Sequence, residues 1–182
     1  MHSCSLHTLV DCDLAIGGWP RFRYDASGGG GGGQLGHPDD TGRRTLRFDA
    51  DQLVIPRLDR RTGRWLGLPL PPGLAIEIQP EGLEGSLDAG AGSVALRFTS
   101  RFRFSVGQLY RAPDLVVDTL LTTGSVRGER HRAEGRPLDA DGRMRLVGVA
   151  TVQPSGDPWF DRFLGLPDEA LARLHCRLGN VP

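Results

Sequence analysis

Between Ser93 and Val106 the chain alternates apolar and polar positions: Val94, Leu96, Phe98, Phe102, Phe104 and Val106 are interleaved with Arg97, Thr99, Arg101, Arg103 and Ser105. A period of two predicts a β-strand with one oily face and one face carrying three guanidinium groups. An isolated ribbon cannot hide such a face, so the strand must belong to a larger antiparallel sheet wrapped around a common interior. Ser100 interrupts the alternation and is the expected place for a bend or bulge.

The same period recurs on both sides. Leu6 to Ile16 reads as one strand ending at Gly17-Gly18, and Phe22 and Tyr24 share a face of a short second one. Leu46 and Phe48, then Leu74, Ile76 and Ile78, mark further half-buried strands. Leu66 to Pro72 carries three prolines, which confine it to a sheet edge. Leu115 to Thr123 begins apolar on both faces and should lie centrally or beneath a helix. Val126 to Glu134 reads as a charged strand, and Met144 to Val152 as a mostly apolar one. Asp139-Ala140-Asp141-Gly142 between them is a good turn sequence.

Two segments break the period. Residues 26–43 contain six consecutive glycines, Gly28 to Gly33, and are expected to form a flexible Gly-rich loop. A phosphate loop is excluded, because that motif needs Gly-Lys-Ser/Thr and the chain has no lysine. Residues 157–179 are expected to be helical: Asp157-Pro158 looks like an N-cap followed by proline, with Gly165 as a stop. Pro167-Asp168-Glu169 then opens a second helix with Leu171, Leu174 and Leu178 on one face.

Composition narrows the functional classes. All 22 basic residues are arginine, and 22 acids balance them to a net charge of zero, so no long-range field draws nucleic acid. Arginine, glycine and proline have GC-rich codons, which accounts most simply for the missing lysine. Three scattered cysteines, Cys4, Cys12 and Cys176, do not make a disulfide framework. The N-terminus lacks a signal-peptide pattern and no apolar run is long enough for a transmembrane helix, so a cytoplasmic location is expected.

Candidate chemistry is sparse. Arg97, Arg101 and Arg103, with Tyr110, Arg111 and His131 nearby in the pattern, form a candidate ligand site if the cationic face points inward, where guanidiniums would hold a polar head. If that face points to water, they are an ordinary sheet surface paired across strands with acids such as Glu77, Asp118 or Glu129. Glu129 beside His131 has the elements of a general base, but no nucleophile motif completes it. Cys4, Cys12 and Cys176 with His2, His7 and His175 lack the spacing of a compact zinc motif, so no metal site is predicted. Trp159, Phe160 and Phe163 form a candidate partner-docking patch, and Trp19 and Trp65 are expected to close a core end.

The sequence therefore predicts a mainly β fold over residues 1–182, an antiparallel barrel or strongly coiled sheet of about eight to ten strands with a short C-terminal helix pair packed on it. In architecture alone this is similar to small lipocalin-like barrels, a scaffold that hosts unrelated functions. The expected function is non-enzymatic binding of an apolar or amphipathic small molecule. The alternatives are an accessory or assembly protein docking through a sheet edge or the Trp159 helix, and a small barrel lyase or isomerase using His131. No cofactor is indicated.

Overall fold

The computed structural model describes residues 1–181. In chain order the elements are β1 (His2–Thr8), β2 (Cys12–Ile16), β3 (Phe22–Tyr24), β4 (Gly30–Pro38), β5 (Arg43–Phe48), β6 (Gly63–Trp65), β7 (Leu68–Pro69) and β8 (Leu74–Asp88). They continue with β9 (Ser93–Val106), β10 (Tyr110–Arg111), β11 (Leu115–Thr122), β12 (Ser125–Arg127), β13 (Arg132–Glu134), β14 (Arg143–Val152), α1 (Pro158–Leu164) and β15 (Asp168–Gly179).

Eight of these strands close on themselves in the order β1-β4-β5-β8-β9-β11-β14-β15, with β15 pairing back to β1 from Ser5↔Gly179 to Thr8↔Cys176. Every pairing is antiparallel. Beyond β1, the upper part of β15 pairs with β2, and the sheet runs on through β3 and β6 to β7. The proline-bearing β7 ends that path, as its prolines require. No helix among the described residues is long and apolar enough to cross a membrane.

The alternation in β9 explains the closure. Val94 and Leu96 are fully buried, and on the neighbouring β11 Leu115, Val117, Thr119 and Leu121 are buried in turn. The outer positions Val116 and Leu120 stand exposed, so β11 is central as expected but no helix covers it. The predicted irregularity also exists, but in the partner strand: the β8–β9 register shifts between Pro80 and Gly82, opposite Ser100 and Thr99. Proline has no N–H to give the ladder, which makes β8 the strand that yields.

Several expectations are corrected. Leu6 to Ile16 is not one strand but two, β1 and β2, separated by a corner at Asp11, whose φ is 62°.

The glycine run is not a flexible loop. Gly30 to Gly33 open β4, which pairs with β1 on one side and β5 on the other. At Gly30, Gly31 and Gly33 there is no room for a side chain. A Cβ on Gly30 would strike the Leu6 carbonyl, one on Gly31 would lie 2.7 Å from the Gln52 carbonyl oxygen, and one on Gly33 would enter the Phe48 ring.

The second predicted helix is also absent. After α1, residues 168–179 form β15, which makes ten registered pairs with β14 from Arg143↔Arg177 to Val152↔Asp168. Alanine, leucine, glutamate and arginine favour helices only weakly, and the demand for a strand to close the ring overrides them. The first helix matches its signals. Asp157 accepts hydrogen bonds from the Trp159 and Phe160 amides, and Gly165 ends the helix in a left-handed conformation at φ 74°.

The segment expected to be one charged strand, Val126 to Glu134, is instead the hairpin β12–β13, a separate two-stranded sheet tied to the main one by two carboxylates. Glu169 accepts the backbone N–H groups of Glu129, Arg130 and His131, while Asp168 takes a forked pair from Arg130 at 3.0 and 2.8 Å. Those N–H bonds hold the Glu169 carboxyl below its ordinary range, and the Arg130 hydrogen bond does the same for Asp168. Lowered folded values mean that this tether is complete above the usual carboxylate range and is lost as pH falls through the lowered values. Glu169→Gln is expected to release the tether at neutral pH. Protection factors of the amides of residues 129–131 against hydrogen exchange should then be as low at pH 7 as in the acidified parent; amides that keep the parent's pH 7 protection in the variant would contradict the assignment.

Candidate functional site

The interior of the ring holds an apolar cavity of about 150 Å³. Its wall is uneven. Phe98, Phe102 and Phe104 project from the inner face of β9, whereas β14 and β15 contribute the small Gly148, Ala170 and Ala172. Ala170 and Ala172 leave a space that the phenylalanines do not fill, whereas at Gly148 the Thr119 methyl and the Leu120 carbonyl already take the place of a Cβ. All three phenylalanines are consequently only half-buried although they face inward.

The polar groups on this wall are neutral, and two of them are engaged. The Thr8 hydroxyl donates to the Ala26 carbonyl at 2.7 Å, and the Tyr24 hydroxyl donates to the Pro56 carbonyl. Burial pushes the Tyr24 phenol and the Cys176 thiol well above their ordinary values, so both stay protonated. No charged side chain lines the cavity. Such a lining offers water few hydrogen-bond partners.

The sequence-predicted arginine site lies on the opposite face. Arg97 forks onto Asp118, with Nε–Oδ1 at 3.0 Å and Nη2–Oδ2 at 2.6 Å, Arg101 pairs with Glu81, and Arg103 pairs with Asp114 at 3.2 Å. Each pair is solvent-exposed, and exposed pairs contribute roughly 0–1 kcal/mol. Inner positions of β9 go to Val94, Leu96, Phe98, Phe102 and Phe104 because a strand has only two faces and hydrocarbon gains more from burial than a guanidinium does. The arginines hold no polar head inside the ring.

The other predicted residues are dispersed. The Tyr110 hydroxyl donates to Asp157 Oδ2 at 2.6 Å, joining β10 to the start of α1; burial and that carboxylate push the phenol up to about 12. Arg111 is exposed beside it. His131 Nε2 lies 3.1 Å from the Gly17 carbonyl oxygen, and Glu129 is exposed. The His131 ring and the Tyr110 hydroxyl thus bond different groups, and neither bonds the Glu129 carboxylate, so the contact an acid–base site requires is not made.

Of the docking candidates, Phe160 is buried against Phe104 at a centroid distance of 5.2 Å, whereas Trp159 and Phe163 are exposed. Cys4, Cys12 and Cys176 are free thiols in the core, and burial raises Cys12 to about 11. They serve as small apolar residues.

The sequence led to an expected cavity for an apolar or amphipathic molecule but placed arginines at its wall and missed the residues that line it. The available signal was the run of small residues, Ala170 and Ala172, within what looks like a helix but folds as an inward-facing strand. Comparison with known proteins adds no relative: no family model, no curated protein and no solved structure matches the chain. The fold and cavity by themselves define a closed antiparallel β ring with an apolar, incompletely packed interior.

Proposed function

We propose that this protein is a non-enzymatic binder that takes a small apolar molecule, or the apolar part of an amphipathic one, into the interior of its strand ring. The observation that carries this reading is the trio Phe98, Phe102 and Phe104, left half-buried around a cavity with no charged lining. Protein interiors are normally packed to crystal density, so so large an unfilled space in a core is a candidate binding site.

Volume sets the ligand class. An engineered apolar cavity of about the same size holds benzene or xenon, whereas drug-sized pockets run to roughly 300–1,000 Å³. A benzene-like ring or a short stretch of acyl chain fits. Burying about four to six methylenes at roughly 0.8 kcal/mol each supplies about 3–5 kcal/mol, which corresponds to millimolar affinity. A tighter natural ligand must therefore continue outside the cavity, where its polar end meets water.

The test is a thermal-shift titration with benzene and toluene, paired with Ala172→Leu. Both probes are expected to raise the midpoint of the parent protein. The leucine side chain should fill the space, raise stability by about 1 kcal/mol and abolish the response to the probes. If the parent ignores both probes and the leucine variant is destabilised as an overpacked core would be, the cavity is not a binding site.

The exposed Trp159 and Phe163 favour a second reading, an accessory protein that docks through the α1 end of the ring. The short, proline-bearing edge at β7 makes docking by strand addition the weaker variant of that reading.

A further inference from the structure

We propose that the end of the ring carrying α1 is a docking surface for an anionic lipid bilayer. The turn at the end of β9, the β6–β7 hairpin and α1 all meet there, and each projects large apolar side chains into solvent. Leu109 is 92% exposed, Leu66 75%, Leu68 69%, Trp159 62% and Phe163 51%. Aromatic contacts join them into one surface. Trp65 lies 5.4 Å from Trp19, Trp19 5.0 Å from Phe163, Phe163 5.6 Å from Trp159, and Trp159 5.2 Å from Tyr110, all as centroid distances.

Charge selects the occupant. Arg21, Arg64, Arg111 and Arg162 flank this surface, and among the described residues none of them forms a salt bridge; Arg64 donates only to the Arg60 and Gly63 carbonyls, at 3.0 Å each, which leaves its charge unneutralised. On the wall of the ring, by contrast, Arg97, Arg101 and Arg103 are each neutralised by a carboxylate. The acids at the α1 end are turned to internal work. Asp157 takes the Tyr110 hydroxyl and the first amides of the helix, and Asp161 takes the Ser155 hydroxyl and the Ser155 and Gly156 amides. Both carboxylates keep their charge but are outnumbered by the arginines, so the rim of the apolar knobs is net positive, and arginine reaches lipid phosphates while its stem lies along hydrocarbon.

The shape favours a bilayer over a protein partner. Apolar tips on three separate segments form knobs, which a fluid interface accepts as individual wedges, whereas a protein partner needs a complementary cast of all of them. Tryptophan is suited to this depth because its ring is apolar and its N–H is polar. The surface also lies over one end of the cavity, since Phe22 and Phe104 line the cavity and touch Trp65 and Phe160 respectively. The proposal stands without a ligand in the ring.

Flotation of the full chain with vesicles of phosphatidylcholine, alone or mixed with phosphatidylglycerol, tests it. The parent is expected to float with the mixed vesicles and to be released by added salt. Leu66→Glu combined with Leu109→Glu should reduce binding at least about tenfold, and Arg64→Gln combined with Arg162→Gln should erase the preference for phosphatidylglycerol at a similar cost in affinity. Val116→Glu with Leu120→Glu, exposed on the ring wall, should bind as the parent does. No flotation with either vesicle overturns the proposal, as does equal loss in the wall variant. So does sizing chromatography that shows a dimer abolished by the Leu66/Leu109 substitutions in a chain that ignores vesicles, since the occupant would then be protein.

Discussion

Gly30→Ala is expected to destabilise the fold by about 4 kcal/mol or more, a large share of the roughly 5–15 kcal/mol that holds a typical domain. Two effects combine. Gly30 sits at φ 119°, a backbone region closed to residues with a Cβ, where strain amounts to about 1–3 kcal/mol. Its new methyl would also collide with the Leu6 carbonyl, a backbone atom fixed in the β1–β4 ladder that cannot swing aside. Relief requires parting β4 from β1, which opens the ring. Gly32→Ala, two residues away, is the control: its methyl meets nothing nearer than the Gln52 side chain at 3.7 Å, so the variant should be neutral or up to about 1 kcal/mol more stable. Urea unfolding of the two variants checks this. Equal midpoints would mean that the glycine run is not held in the close-packed strand described above.

That contrast shows what could be read from the chain and what could not. Alternation along Val94 to Val106 and Leu74 to Ile78 specifies faces, because burial of a strand face is a local, period-two property. The Asp157 cap and the Gly165 stop of α1 are equally local. The Gly28 to Gly33 run carries no such signal. Without side chains it has no hydrophobic period, and the reason for the glycines lies in backbone and side-chain atoms of Leu6, Phe48 and Gln52, contacts that only the closed ring creates. β15 fails for the opposite reason: its spacing of Leu171, Leu174 and Leu178 matches a helix, while Ala170, Ala172, Leu174 and Cys176 match a strand equally well, and only pairing with β14, β1 and β2 decides. The candidate site followed the same logic. Arginines are conspicuous in a sequence, yet a space left between phenylalanines and alanines on strands far apart in the chain has no residue of its own to announce it.

Phe102→Ala is expected to weaken the fold and widen its ligand range in one step. Phe102 pairs with Leu115 and Ile78 and borders the cavity, packing against two of the core clusters. Removing a fully buried phenylalanine costs about 3–5 kcal/mol; because this ring already faces empty space on one side, about 2–3 kcal/mol is expected. The vacated volume adds one phenyl ring to a cavity that already accommodates about one, so a two-ring hydrocarbon such as naphthalene should enter the variant and not the parent, whereas benzene should enter both. Ligand binding to the folded state alone returns about 2.7 kcal/mol at a hundredfold excess over Kd, enough to offset most of the loss. Naphthalene should therefore restore the thermal midpoint of Phe102→Ala close to that of the parent and leave the parent unmoved. A variant that loses stability and yet gains nothing from naphthalene would mean that the ring collapses onto the deleted side chain, and an interior that closes so readily could not serve as a preformed binding site.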